Sequence, residues 1–206
     1  MVDLNFILFI SIVAPLLMML LVCRDRTRDL LLFVIMGTVV CLICGELNTF
    51  VCRLVPFSQE YCVRNITPLI EELMKAFPIL VFAFIYEPSR RALLENAIAV
   101  GIGFAILENA IILGGANGQI SLFAALLRGF GSGMMHGICT LLVGLGLSFV
   151  HFRKKLFVTG AIALLSVAVV YHSMYNCFIS AGLNIVALLL PTMVFVPVEI
   201  KLRSLE

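Results

Sequence analysis

Apolar runs of about 20 residues recur from one end of this chain to the other, and about 20 helical residues is the length that crosses ~30 Å of hydrocarbon. Seven runs read as spans, at 4–22, 30–50, 67–86, 93–113, 121–150, 156–180 and 183–200. The chain has 206 residues, so no extramembrane catalytic domain fits beside them. Any chemistry must be built from side chains on the membrane helices. Apolar residues make up 62% of the sequence and charged residues 13%, about half the charged share of a soluble domain. A water-soluble globule, a disordered chain and a nucleic-acid binder are thereby excluded. The expected fold is all-α: one polytopic transmembrane helix bundle of about seven spans, a single domain over 1–206. The first run begins at Leu4 without a basic n-region or an A-x-A site before Arg24, and reads as a retained helix.

Basic residues orient the bundle. Arg24, Arg26, Arg28, Arg90, Arg91, Arg153, Lys154, Lys155, Lys201 and Arg203 all fall on one side of the predicted spans. Only Arg53 and Arg64 fall in the opposite loops, and Lys75 and Arg128 lie within spans. The positive-inside rule then puts the N-terminus outside and the C-terminus in the cytoplasm. The seven cysteines show no metal-binding spacing. Cys52 and Cys62 flank one polar loop on the outer side, where a bridge can form.

Glu46, Glu71, Glu72, Lys75, Glu108, Arg128, His136 and His172 fall inside the spans. A charge at mid-bilayer costs about 2.5–3.5 kcal/mol on insertion scales, so a group of them points to function. Given the orientation, Glu71 and Glu72 lie about 6–8 Å below the outer surface and His136 about 12 Å. Glu108, His172 and Asn176 occupy the outer turns of their spans. Four helices therefore place polar groups in one outer layer, which predicts a shared pocket. Glu46 is expected at its rim, and Arg128 is expected to anchor at the headgroups.

Local spacings add detail. Glu71 and Lys75 are i,i+4 and share a helix face, so the lysine is expected to neutralise part of the carboxylate pair. Glu71 and Glu72 diverge by about 100°, which lets one face the pocket while the other holds a neighbouring helix. His172 and Asn176 are also i,i+4, placing the amide where it can support the imidazole. Gly129, Gly133 and Gly137 form two overlapping small-xxx-small steps, a pattern that permits close helix contact.

Two imidazoles and three carboxylates at one depth suit water activation. A His, His, Glu set is a catalytic zinc arrangement with a fourth position open to water. Here it names Glu108, His136 and His172 as candidate ligands, with Glu72 or Glu71 as general base. Without metal, a glutamate activates water directly while His and Asn stabilise the oxyanion. No HExxH motif is present, so both routes stay open.

The same residues carry a family resemblance. Glu71-Glu72-Leu-Met-Lys75 matches EExxK, Phe104-Ala-Ile-Leu-Glu108-Asn109 matches FxxxE-N, His136 lies in a glycine-rich helix, and His172-Ser-Met-Tyr-Asn176 gives HxxxN. The ordered set resembles the PrsW family of bacterial intramembrane proteases, relatives of the CAAX prenyl-protease and Abi superfamily. It covers roughly residues 67–180, the expected catalytic core. The resemblance implies a protease of the bacterial plasma membrane that cuts a single-pass membrane protein, typically an anti-sigma factor, near its extracytoplasmic face. Taken with the chemistry of the residues, the expected roles are catalytic for Glu71, Glu72 and Asn176, metal-ligating for Glu108, His136 and His172, and supporting for Lys75 and Asn109. Two other classes compete: a proton-coupled transporter, since intramembrane carboxylates also form relays, and a non-catalytic membrane scaffold.

Overall fold

The computed structural model describes residues 25–86, 88–115, 121–152 and 154–203. Among them the chain is helical, with no strand. Six long helices carry the architecture: α1 (Asp25–Leu54), α2 (Thr67–Tyr86), α3 (Arg90–Gly115), α4 (Gly133–Phe152), α5 (Phe157–Ser180) and α6 (Asn184–Arg203). The expected span 4–22 lies outside the described residues.

By length and composition, four helical stretches can cross a membrane: Asp25–Leu54, Arg90–Gly115, Leu122–Leu147 and Phe157–Ser180. The other two expected spans are continuous helices of a different character. α2 matches the expected range 67–86 but carries Glu71, Glu72 and Lys75. α6 contains Pro191 and Pro197, and its apolar part is the shorter Asn184–Pro197.

Two helices are entered through π-helical turns, a geometry that recurs at functional sites. A short turn at Gln59–Tyr61, capped by Ser58, runs into the π-turn Cys62–Ile66 and then α2. Leu122–Leu126, capped by Ser121, runs through the π-turn Leu127–Ser132 into α4. The over-long fifth span is thus one continuous helical path. Cys52 and Cys62 are both free thiols in this structure.

α4 is the central helix, packed on α3 and α5, while α1 lies on the other side of α3. α2 touches α1, α3, α4 and α5, so the helix richest in buried charge borders four partners. The apolar core runs through Phe33, Ile79, Ala97, Val100, Met135 and Cys139. Glycine sets the closest seams. A Cβ on Gly37 of α1 would overlap the Val100 carbonyl of α3, and one on Gly103 would overlap the Val34 carbonyl of α1. A Cβ on Gly101 would overlap the His136 carbonyl of α4. The expected glycine face is not the one used: a Cβ on Gly129 or Gly133 would meet nothing within 4 Å, and Gly137 has ordinary contacts of 3.7 Å or more. Gly129 and Gly133 face open space, whereas Gly137 is buried against Ile98 and Ile102 of α3.

At the end of the bundle where α1 and α3 begin, Arg26 locks the two helices together. Its guanidinium donates to Glu95, to Asn96 Oδ1 at 3.0 Å and to the Ala92 carbonyl at 3.2 Å. Arg91 Nε donates to the second Glu95 oxygen at 2.8 Å.

Candidate active site

The site is assembled from four helices. α2 supplies Glu71, Glu72 and Lys75; α3 supplies Glu108 and Asn109; α4 supplies His136; α5 supplies His172. Glu71 to Lys75 lie in the first half of α2, whereas Glu108 and His172 lie in the later halves of α3 and α5. Gly101 allows the backbone of α4 at His136 to rest on α3. The imidazole then packs against Phe104, with ring centroids 4.9 Å apart.

Glu72 is the hub. Its Oε1 accepts from Lys75 Nζ at 2.6 Å and lies 2.7 Å from His172 Nδ1. Lys75 Nζ lies 2.8 Å from His136 Nδ1 and 4.6 Å from the centre of the Phe104 ring. A line of contacts therefore runs from His136 through Lys75 and Glu72 to His172, and all four side chains are buried. The lysine pairs with Glu72 at i,i+3, not with Glu71 at i,i+4 as its spacing suggested. Both spacings put side chains on one helix face, and the imidazoles on α4 and α5 decide between them.

Both imidazoles are gripped at Nδ1, which leaves Nε2 pointing elsewhere. His172 Nε2 lies 3.8 Å from Glu71 Oε2, and His136 Nε2 lies 3.2 Å from Glu108 Oε2. The rings stand nearly perpendicular, with centroids 4.9 Å apart. Glu71 Oε1 accepts from Asn48 Nδ2 of α1 at 3.3 Å. Its Oε2 is buried and has no hydrogen-bond partner. Glu71, His136 and His172 each offer a ligand-type atom within 4.8 Å of the other two, and all three are buried. The carboxylate in this group is Glu71, whereas the sequence reading chose Glu108.

Glu108 has other company. Its Oε2 accepts from Arg128 Nη2 at 2.8 Å and from Ser132 Oγ at 3.3 Å. Asn109 Oδ1 accepts from Arg128 Nε at 3.0 Å, and Asn109 Nδ2 donates to the Arg128 carbonyl at 2.9 Å. Arg128 is thus tied to α3 and does not reach for headgroups as expected. Asn176 also departs from its expected role. Its Nδ2 donates to the Val63 carbonyl at 3.1 Å, joining α5 to the π-turn ahead of α2. Glu46 is exposed on α1, outside the cluster. Asn48 and Ser132 escaped sequence reasoning altogether, and only contact geometry marks them.

The sequence matches the family described as PrsW family intramembrane metalloprotease over residues 26–201. The chain belongs to the PrsW family. No curated relative and no solved structure matches it. Membership makes it a protease of the membrane interior, and its apolar helices agree with an integral membrane protein. The family name implies a metal, and the PrsW site fits one. Two imidazoles and a carboxylate form a donor set that zinc accepts, and the unpartnered Glu71 Oε2 is a buried oxygen still owed a positive neighbour. Glu72 beneath His172 supplies the carboxylate–imidazole contact that orients metal-bound histidines.

Proposed function

We propose that this chain hydrolyses a peptide bond of a single-pass membrane protein, such as an anti-sigma factor, near the extracytoplasmic face of a bacterial plasma membrane. The observation that carries the reading is the buried Glu71, His136 and His172 group, drawn from three helices around an unsatisfied carboxylate oxygen. Membership of a protease family favours hydrolysis over the transporter and scaffold readings. The outer placement rests on the positive-inside distribution of Lys and Arg, under which α2 enters from outside and α3 and α5 leave toward it.

Glu71, His136 and His172 would hold the metal, with zinc as the candidate. Bound there, zinc would supply Lewis-acid chemistry, the polarisation of a carbonyl and the acidification of water. The chain's own groups take the remaining roles. Glu72 holds His172 at Nδ1 and so aims its Nε2 atom, and Lys75 packs against His136 Nδ1. Glu108, 22% exposed beside His136, would accept the proton of the attacking water. Relative to the sequence reading, Glu71 and Glu108 exchange roles. Asn176 would act from a distance by holding the turn that leads into α2.

The test combines metal analysis with cleavage. The purified protein should contain one zinc per chain, and His136→Ala and His172→Ala should each lose it. Cleavage of a single-span substrate should vanish in both and in Glu71→Gln. Full activity in a Glu71→Gln, Glu72→Gln double variant would sink the proposal.

A further inference from the structure

Most of the ionisable groups at the site are sealed. Glu71, Glu72, Lys75, His136 and His172 are all buried. Glu108 and Arg128 differ, each keeping 22% of its side chain exposed. They are the partly exposed members of the cluster.

Glu108 Oε2 has three neighbours: Arg128 Nη2 at 2.8 Å, His136 Nε2 at 3.2 Å and Ser132 Oγ at 3.3 Å. The shortest is the charged one, and a charge-assisted hydrogen bond is roughly twice as strong as a neutral one. Arg128 is itself held at two points by a single residue. Asn109 accepts from its Nε and donates to its backbone carbonyl. The latch joins the π-turn Leu127–Ser132 to α3, next to the carboxylate it steadies. A guanidinium serves this purpose better than an ammonium, because its donors leave a rigid plane in fixed directions. An arginine used only as a headgroup anchor would leave these donors turned toward lipid.

We propose that Arg128 is a positioning residue of the hydrolytic site, holding the Glu108 carboxylate beside His136 Nε2. The proposal rests on the hydrolase reading. Arg128 acts through Glu108, so its loss lowers turnover and spares substrate capture.

The experiment uses full-length protein in proteoliposomes and a quenched-fluorescence single-span peptide with a degenerate outer juxtamembrane segment. Arg128→Met should lower kcat about 10–100-fold, the usual effect of removing a group that orients a site residue, with KM unchanged. Arg128→Lys should recover part of the loss. In a Glu108→Gln background, Arg128→Met should add no further loss, because the two act as one unit. If Arg128→Met does not fold, the comparison of Arg128→Lys with wild type, alone and with Glu108→Gln, carries the same test. Wild-type kcat in a folded Arg128→Met protein, or losses that multiply with those of Glu108→Gln, would overturn the positioning role while leaving the hydrolase reading standing. No cleavage by the wild type would overturn both.

Discussion

Lys75 has no contact with solvent and three close neighbours: a carboxylate, an imidazole nitrogen and an aromatic face. A buried pair is strongly destabilised when one partner is removed, by about 3–5 kcal/mol, since the other charge is left uncompensated. Lys75→Met should therefore lower stability by about that amount. Adding Glu72→Gln should restore part of it, because the stranded carboxylate goes too. Thermal unfolding of the purified variants in detergent checks both the loss and its partial reversal. At this scale the sequence was legible in kind but not in pairing. Glu71, Glu72, Lys75, Glu108, His136 and His172 could be picked out because ionisable groups in apolar runs are expensive. Which carboxylate meets the lysine, and which meets the imidazoles, depends on rotamers and on helices far away in sequence. Asn176 shows the limit: it shares a face with His172, yet its amide donates to the Val63 carbonyl on another element.

Among the elements, α2 and its neighbours were readable almost to their ends, because apolar runs bounded by charge fix helix length. The close seams were not. A glycine pattern says that contact is permitted, and only packing says where it occurs. Gly101→Ala should push α4 away from α3 at His136, cost about 1–3 kcal/mol through overpacking, and reduce zinc occupancy. Gly45→Ala meets nothing within 4 Å on α1 and should stabilise by about 0.5–1 kcal/mol, since it replaces a poor helix former. Paired melting curves and metal analysis separate the two outcomes; equal behaviour of both variants would refute the assignment of the α3–α4 seam.

Over the whole molecule, the ends of the bundle carry opposite duties. One is closed by the Arg26, Glu95 and Arg91 lock, and the other holds the Arg128–Glu108 pair. The orientation has a direct check. In a background without native cysteines, Ser58→Cys should react with a membrane-impermeant maleimide from outside intact cells, and Ser89→Cys should not. The reverse pattern would move the proposed cleavage to the cytoplasmic face.

The charge on α2 also bears on how the protein is born. His136 follows Lys75 by 61 residues and His172 follows Glu72 by 100, so both partners are still unmade when α2 leaves the ribosome. Until they emerge, the nascent segment has the internal Glu72–Lys75 pair, and Asn48 of α1 beside Glu71, to soften its polarity. It should linger at the translocon or in a chaperone's keeping, and settle among the lipids once its later companions arrive.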